Sequence, residues 1–388
     1  MRQATLFSAL LFSITGCHGG AGQNACNPND LEHRAYIVSR DSDEVHVIDL
    51  NCMEVTGVSH TGGQALHMLE LDPTLQYAFV DSSETNETVV VDVRTLQVTR
   101  RLQTGSHPTH ATLSHDGRYL AVVLEGDDAV AFIDAHTREM VKKLPGFKTP
   151  HFVRFAPDGH FAYVANINGN HLTQVNLDSL EITGEVALDG KEQPVSEEGG
   201  FADAQIDQVS GVLYAAHAQT GRVLVYDTVA QKKLAELAVG KRPWIVYAEH
   251  PFATVSRRHL VPNFGDQSAS ILNASAPGVL KTLAVADDES YGVNYSPLAP
   301  HEAFVMNRNK KEIAVVNTDD MKLAERIPVG GTTETASTTA DGKYIVATVS
   351  SINQVVVIDA ATHKVVKTFT LGKYPWSVTI PNGQNYCH

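Results

Sequence analysis

The sequence predicts an all-β fold made of eight similar units, and two observations carry this prediction. An Asp or Asn recurs at the end of eight β-rich segments, in steps of 42 to 51 residues: Asp49, Asp92, Asp134, Asn176, Asp227, Asn273, Asn317 and Asp359. Each unit also holds about four short runs of β-branched and aromatic residues bounded by turn residues, which favours strands over helices. A period in the low forties with four strands per unit is typical of a β-propeller. We therefore predict a single eight-bladed β-propeller of four-stranded antiparallel blades.

The first 33 residues lie outside this repeat. Arg2 precedes an apolar stretch over residues 4–14, and the segment ITGC follows at residues 14–17. A positive charge, a short apolar run and small residues before a cleavage point are typical of a secretory signal. Residues 14–17 also resemble the bacterial lipobox, which implies cleavage before Cys17 and a lipid on its sulfur; an ordinary signal peptide cut elsewhere is the alternative. We expect a signal peptide over residues 1–16, a flexible lipidated tether over 17–33 and the propeller over 34–388.

This organisation predicts an exported protein that faces the periplasm or the cell exterior. A lipid on Cys17 would hold it at a membrane, and we favour the outer membrane because His18 rather than Asp follows the cysteine. No later apolar run reaches 18 residues, so we expect no membrane contact beyond the anchor. The net charge of −14 argues against nucleic acid as a partner. We expect a monomer whose partner is a small ligand or another exported protein.

Each unit shows the same succession of strands and turns. Residues 163–166 (YVAN) are typical of a second strand, and residues 355–359 (VVVID) of a third strand that ends at the marker residue. Residues 105–108 (GSHP) connect to the next inner strand, and residues 157–159 (PDG) form a hairpin turn. These segments resemble the YVTN-type β-propeller repeat over about residues 34–388, with units five and six degenerate. The resemblance implies the fold and leaves the function open, because one propeller scaffold carries many activities.

The order of the strands predicts how the ring closes. Eight inner strands are expected near Met68, Ala111, Val153, Ala204, Ile245, Val293, Thr335 and Val378. The chain therefore begins with the second strand of a blade, at Tyr36, and we expect its last strand to supply the missing inner strand, which removes an open edge. This arrangement puts Cys26, Cys52 and Cys387 on one face of that blade, and an exported chain favours disulfides. We favour a Cys26–Cys52 bond, with pairing to Cys387 left open.

Candidate binding residues collect on the opposite face, in the loops that enter the inner strands and those between second and third strands. The imidazoles and carboxylates expected there belong to His67, His107, His110, His151, His171, His217, Glu198 and Asp203. An aromatic half of the rim is expected from Trp244, Tyr291 and Trp376. Such imidazoles and carboxylates suit Zn or Cu, and they also suit axial ligation of a haem-like tetrapyrrole packed against the aromatic rings. Structural roles for these histidines and plain packing for the aromatic residues are the alternative.

The sequence contains no Gly-x-Ser-x-Gly elbow, phosphate loop or dinucleotide fingerprint, so the corresponding enzyme classes have no support. Three hypotheses of function remain. We favour a lipid-anchored propeller that is not an enzyme and that binds a ligand or protein partner at its channel mouth, without a cofactor. The second hypothesis rests on a resemblance of eight blades and rim histidines to the d1-haem propeller class, which implies binding or maturation of a d1-haem-like cofactor. No CxxCH occurs, so a c-type haem is excluded. The third is a periplasmic Cu or Zn carrier that uses His67, His151, His217 and Glu198.

Overall fold

Blade 1 is built from both ends of the chain. The computed structural model describes residues 25–190, 194–208, 210–249 and 257–385. In blade 1, β1 (Arg34–Ser39), β2 (Glu44–Asp49) and β3 (Glu54–His60) are joined by β32 (Pro375–Thr379), which pairs antiparallel with β1 on the channel side. The last long strand therefore completes the first blade, and the predicted closure of the ring is confirmed.

Blades 2 to 5 each consist of four consecutive antiparallel strands, ordered from the channel outwards. Blade 2 contains β4 (Leu66–Leu71), β5 (Tyr77–Ser82), β6 (Glu87–Asp92) and β7 (Val98–Leu102). Blade 3 contains β8 (Pro108–Leu113), β9 (Tyr119–Leu124), β10 (Ala129–Asp134) and β11 (Glu139–Pro145). Blade 4 contains β12 (Pro150–Phe155), β13 (Phe161–Asn166), β14 (His171–Asn176) and β15 (Glu181–Ala187). Blade 5 contains β16 (Phe201–Ile206), β17 (Val212–His217), β18 (Arg222–Asp227) and β19 (Lys232–Ala238).

Blades 6 to 8 follow the same plan, and blade 8 has one additional strand. Blade 6 contains β20 (Tyr247–Ala248), β21 (Arg258–Asn263), β22 (Ser268–Asn273) and β23 (Gly278–Leu283). Blade 7 contains β24 (Gly292–Ser296), β25 (Ala299–Asn307), β26 (Glu312–Asn317) and β27 (Lys322–Pro328). Blade 8 contains β28 (Thr333–Thr338), β29 (Tyr344–Val349), β30 (Gln354–Asp359), β31 (Lys364–Thr370) and the short β33 (Gln384–Asn385). Three 3₁₀ turns lie between second and third strands, at Glu125–Asp127, Phe264–Asp266 and Ser350–Ile352.

The core consists of apolar layers between neighbouring blades. Along β9, Ala121 and Val123 pack in a cluster with Val153 of blade 4, whereas Leu120 and Val122 pack in a cluster with residues of blade 2. Successive side chains of a strand point to opposite faces, so a strand buried on both faces is apolar throughout. The outermost strands are mainly exposed, as in β11. Burial therefore falls from the channel side to the rim of the propeller.

The recurrent Asp or Asn has a local structural role at the end of each third strand. In blade 3, Oδ1 of Asp134 accepts hydrogen bonds from the backbone N–H of Thr137 at 2.7 Å and of His136 at 3.0 Å. These bonds, that of Thr137 above all, hold the pKa of Asp134 below its usual value. Asx side chains stabilise tight turns in this way. The marker recurs because each blade repeats the same turn between its third and fourth strands.

The chain end adds a fifth strand to blade 8, which the sequence did not predict. After β32 the chain turns back, and β33 pairs with β28 through Ser337 and Thr338. The amide of Gln384 also reaches neighbouring blades: its Oε1 accepts from the backbone N–H of Tyr295 at 2.7 Å, and its Nε2 donates to the carbonyl of Ala248 at 3.3 Å. This segment therefore lies across the end of the channel opposite the mouth, in contact with blades 6, 7 and 8.

The N-terminal segment is tied to that same face. Cys26 and Cys52 form a disulfide with a Cα–Cα distance of 5.0 Å. Cys52 lies in the turn between β2 and β3, at the end of blade 1 away from the loops that enter the inner strands. The predicted signal peptide, Cys17 and Cys387 lie outside the described residues. No helix in the described ranges is long and apolar enough to cross a bilayer.

Candidate functional site

Eight planar side chains form a closed ring around the mouth of the channel, which we call the mouth ring. In order around the channel its members are Trp376, His67, His110, His151, Trp244, Tyr291, Arg308 and Tyr374. Neighbouring ring centroids lie between 4.6 Å, for His110 and His151, and 6.4 Å, for His151 and Trp244. Arg308 connects Tyr291 to Tyr374, since its guanidinium lies 5.6 Å from the Tyr291 ring and donates to the Tyr374 hydroxyl at 3.1 Å.

β-bulges at the starts of the inner strands help to position this ring. The pairing register of β4 shifts between Leu66 and Leu69, that of β8 between Pro108 and Ala111, and that of β12 between Pro150 and Phe152. His67, His110 and His151 lie within these three irregular segments. A bulge inserts an unpaired residue and re-aims its side chain, which is why bulges are common beside binding sites.

The histidine of blade 4 has a defined tautomer. Nδ1 of His151 lies 2.8 Å from the carbonyl oxygen of Ala202, which belongs to blade 5. A carbonyl oxygen can only accept, so Nδ1 carries a proton, and in the neutral ring Nε2 carries the lone pair. Blade 5 thus contributes a backbone acceptor in place of a ring side chain, and the mouth ring passes directly from His151 to Trp244.

A short hydrogen-bond chain orients His110 and Glu125. The hydroxyl of Thr109 donates to Oε1 of Glu125 at 2.8 Å. The hydroxyl oxygen of Thr109, Oγ1, also lies 3.1 Å from Nδ1 of His110. A hydroxyl has one proton, so Thr109 accepts from His110, whose Nδ1 is the protonated nitrogen. One ligand atom from each of His110, Glu125 and His151 lies within 4.8 Å of the others. These three side chains form the described cluster with the strongest metal-ligand character, because the thiols of the other, Cys26 and Cys52 with Asp49, are joined in the disulfide.

The mouth ring encloses a cavity of about 380 Å³. Aromatic and imidazole groups line it together with charged side chains, among them Glu125, Glu197 and Arg40. The guanidinium of Arg40 lies 4.4 Å from the centroid of the Trp376 ring, and Arg40 forms no ion pair with another described residue. Stacking on an aromatic face holds a guanidinium in place while its donors stay available.

A larger open depression of about 750 Å³ lies outside the mouth ring, between the loops of blades 5 and 6. Its lining is formed by turn segments such as residues 196–199 and 218–221, and the described residues of this lining include no histidine or aromatic side chain. Pockets that recognise small ligands usually combine aromatic walls with a few convergent polar groups. The mouth cavity has this composition and the depression lacks it.

Most of the residues expected at the mouth lie there. The cavity is lined by His67, His107, His151, Glu198, Trp244, Tyr291 and Trp376, and His110 belongs to the mouth ring. His107 lies in the loop that enters β8, with its backbone N–H bonded to Oδ1 of Asn86 at 3.0 Å. Glu198 forms an ion pair with Arg242 at 3.1 Å on the outer side of the rim.

Three of the expected residues are directed elsewhere. His171 lies beside Glu185 at 3.5 Å on the side of blade 4. His217 is buried beside Phe201, with ring centroids 4.8 Å apart, and burial lowers its pKa to about 4. Asp203 is fully buried in the channel wall, where Arg154 donates to its two oxygens at 3.1 and 2.5 Å. Burial raises the pKa of Asp203, and Arg154 opposes that effect only in part.

Several residues of the site were not anticipated. Arg40, Glu125 and Arg308 follow second strands, and Tyr374 enters β32. These are the loops that sequence reasoning assigns to the mouth, so their positions were predictable. The direction of each side chain was not, because it depends on partners distant in sequence: Arg308 forms ion pairs with Glu289, in the loop that enters its own blade, and with Glu334 of blade 8.

Fold and site together define a closed eight-bladed β-propeller with a ring of imidazole and aromatic groups at one end of its channel. The chain belongs to the YNCE-like beta-propeller family, whose model matches residues 73–382. No curated protein matches the sequence significantly.

Solved structures share the fold at low sequence identity. The dihydro-heme d1 dehydrogenase NirN, in complex with DHE, is 16% identical with a TM-score of 0.75 over 93% of this chain and 77% of its own. AztD from Citrobacter koseri in its apo form is 13% identical, with a TM-score of 0.63 over 89% of this chain and 96% of its own. Hydrazine synthase from Kuenenia stuttgartiensis is 17% identical, with a TM-score of 0.57 over 76% of this chain and 95% of its own. These likenesses confirm the predicted resemblance to repeat-type and d1-haem-type propellers at the level of fold.

Proposed function

We propose that this protein is an exported, non-catalytic binding protein that holds a small ligand at the mouth ring. The observation that carries the proposal is the mouth cavity of about 380 Å³ with its aromatic, imidazole and guanidinium lining. Its volume falls within the range of roughly 300–1,000 Å³ found for small-molecule sites. Concave sites of this composition bind planar ligands that carry a few polar groups.

The lining favours a planar ligand with acceptor or anionic groups. Trp244 is 4% exposed, and its Nε1 has no hydrogen-bond partner among the described residues. Leaving a buried donor unsatisfied costs about 1–3 kcal/mol, which an acceptor atom of a ligand would recover. Arg40, stacked on Trp376, offers a cation at the opposite side of the ring. A ligand with an aromatic plane and a carboxylate would use both.

The hydroxyl that contacts His110 supports binding rather than catalysis. A nucleophilic hydroxyl needs a base that can take its proton. The proton of Thr109 is directed to Glu125, and His110 donates to Thr109 instead of accepting from it. This pair therefore lacks the polarity that a nucleophile and its base require.

Export and lipid anchoring complete the proposal. Cys26 follows Cys17 by nine positions in the sequence, and an extended chain of that length spans at most about 30 Å. Since the Cys26–Cys52 disulfide lies on the face opposite the mouth, a lipid on Cys17 would turn the mouth ring away from the membrane. The site would then be open to solutes and to exported proteins. Metabolic labelling with a radioactive fatty acid tests the anchor: label in the wild type and none in Cys17→Ser is expected, and equal labelling would contradict it.

The binding proposal is tested on protein exported from a bacterial host and purified without extraction of small molecules. We expect native mass spectrometry to show a bound species that is released on denaturation. Arg40→Ala and Trp376→Ala should lose this species and keep the wild-type far-UV circular dichroism. Arg138→Ala is the matched control, because Arg138 also lies over an aromatic ring, that of Tyr77 at 4.2 Å, but outside the mouth ring. Equal retention by all three variants, or no bound species in the wild type, would refute the proposal.

A d1-haem-like tetrapyrrole is the second candidate ligand. Imidazoles beside two tryptophans suit axial ligation and packing of such a group, and the structurally similar NirN is a dihydro-heme d1 dehydrogenase. Reconstitution with a haem-like macrocycle separates the candidates. We expect no Soret band after removal of unbound pigment, and a band that disappears in His151→Ala would favour the tetrapyrrole.

A further inference from the structure

We infer that His110, Glu125 and His151 bind one divalent transition-metal ion of the Zn²⁺ or Cu²⁺ type at the inner side of the mouth cavity. This inference rests on the proposed function, since the ion would be part of what the mouth ring holds. The three residues come from two neighbouring blades, and one ligand atom of each lies within 4.8 Å of the others. Two imidazoles and one carboxylate are a donor set that suits these ions.

The spacing needs only a small adjustment to form a metal site. Ligand atoms around a tetrahedral zinc ion at about 2.0–2.1 Å lie roughly 3.3 Å from one another. His110 and His151 are 1% and 9% exposed and belong to inner strands. Glu125 begins a 3₁₀ turn between β9 and β10 and is only partly buried. Small movements of the three side chains, from separations of at most 4.8 Å to about 3.3 Å, would bring the three donors to bonding distance.

Hydrogen bonds from the Nδ1–H groups of His110 and His151 orient both rings for metal binding through Nε2. His151 donates its Nδ1–H to the carbonyl of Ala202 at 2.8 Å, and His110 donates its own to Thr109 at 3.1 Å. Both bonds leave the lone pair on Nε2. Metal-binding histidines almost always donate their other N–H to such an outer partner, which fixes the tautomer and raises the basicity of the ligand.

Thr109 holds two of the three ligands at once. Its hydroxyl accepts from His110 and donates to Oε1 of Glu125, which leaves Oε2 of that carboxylate for the ion. Thr109 is therefore a further position at which substitution can test the metal hypothesis.

Three protein ligands would leave the fourth position of a tetrahedral ion open. Glu125 and His151 both line the mouth cavity, so this position faces the space where the proposed ligand lies. Sites with an open position exchange their fourth ligand, whereas structural sites use four protein ligands. The ion would therefore either coordinate a polar group of the ligand or be delivered to a partner.

Metal titration of the full mature protein tests the inference. After chelator treatment, the protein is titrated with Co²⁺, whose d–d absorption reports coordination, and with Zn²⁺ by equilibrium dialysis and elemental analysis. We expect one equivalent bound by the wild type and none at the same concentration by His151→Ala or Glu125→Gln. Thr109→Val should bind about 10–100-fold more weakly, as expected for an outer partner. His136→Ala, which changes an exposed histidine in a turn of blade 3 outside the mouth cavity, should bind like the wild type.

The outcomes separate this inference from the proposed function. Thermal unfolding of each variant first establishes that the propeller is intact, and Glu125→Gln keeps the acceptor for Thr109 and so preserves the local fold. Absence of stoichiometric metal in the wild type, or its retention by both His151→Ala and Glu125→Gln, overturns the metal site. If the wild type then still holds an organic ligand that Arg40→Ala releases, the proposed function stands without the metal. If neither metal nor ligand binds, both fail.

Discussion

His67 and Trp376 lie with their ring centroids 5.4 Å apart, although one belongs to the second blade and the other to the last long strand of the chain. The two strands are joined next to this contact. Ser377 Oγ donates to the carbonyl of His67 at 3.0 Å, and Thr379 Oγ1 donates to the carbonyl of Leu69 at 2.8 Å. The seam that closes the propeller therefore also completes the mouth ring.

The closing seam is expected to contribute measurably to stability. Thr379→Val removes a buried hydrogen bond between blades 1 and 2 with almost no change of shape. We expect a loss of about 1 kcal/mol in the free energy of unfolding, measured by urea denaturation. Thr370→Val on the exposed edge of blade 8 is the control, and it should change stability by less than about 0.5 kcal/mol. Equal effects would contradict a special role of the seam.

Substitution in the buried ion pair of Asp203 and Arg154 should lower the free energy of unfolding more than Thr379→Val does. Asp203→Asn would leave the guanidinium of Arg154 without its charge partner in a site where Asp203 is fully buried. Removing one partner of a buried pair typically costs about 3–5 kcal/mol, and we expect the lower end because Arg154 is partly exposed. Urea denaturation measures the loss, and adding Arg154→Met should recover much of it. A single variant as stable as the wild type would show that the charge is solvated.

A buried histidine predicts acid sensitivity. Burial lowers the pKa of His259 from 6.5 to about 4, with Asp207 opposing it, and its ring lies 4.5 Å from that of Tyr214. The unfolded chain therefore binds a proton near pH 6 that the folded protein does not, so stability falls as the pH decreases from about 6.5 towards 4. His259→Phe should lessen the loss between pH 7 and pH 4.5 by about 2 kcal/mol.

Urea denaturation at the two pH values checks this prediction. His136→Gln serves as the control, because His136 is exposed in a turn of blade 3. This variant should lose as much stability between pH 7 and pH 4.5 as the wild type does. If His259→Phe loses as much stability as the wild type between these pH values, His259 is protonated in the folded protein and the prediction is wrong.

The disulfide should stabilise the protein through the unfolded chain. It joins residues 26 apart in sequence, and the loop-entropy relation assigns about 3.5 kcal/mol to a closed loop of that length. The double variant with Cys26→Ser and Cys52→Ser should lose about this much by urea denaturation under oxidising conditions. A reducing agent should bring the wild type to the same value and leave the variant unchanged. A variant that also responds to the reductant would point to another bridge.

The candidate site shows where prediction from sequence stops. His67 and His151 line the cavity as expected, whereas His171, His217 and Asp203 belong to the same set of loops and strand ends but point elsewhere. A position in the repeat determines the height of a residue along the channel. It does not determine the direction of its side chain, since successive residues of a strand face opposite sides and a bulge of one residue reverses the choice.

The repeat period, the turn at each Asp or Asn marker and the number of inner strands were sufficient to predict eight blades and the seam formed by β32, because strand pairing and Asx turns depend on local sequence. The mouth ring, the chain from His110 through Thr109 to Glu125, and the position of Gln384 across the far end of the channel were decided only by the tertiary structure. Each depends on contacts between residues of different blades, which the closed ring brings together and which no local pattern encodes.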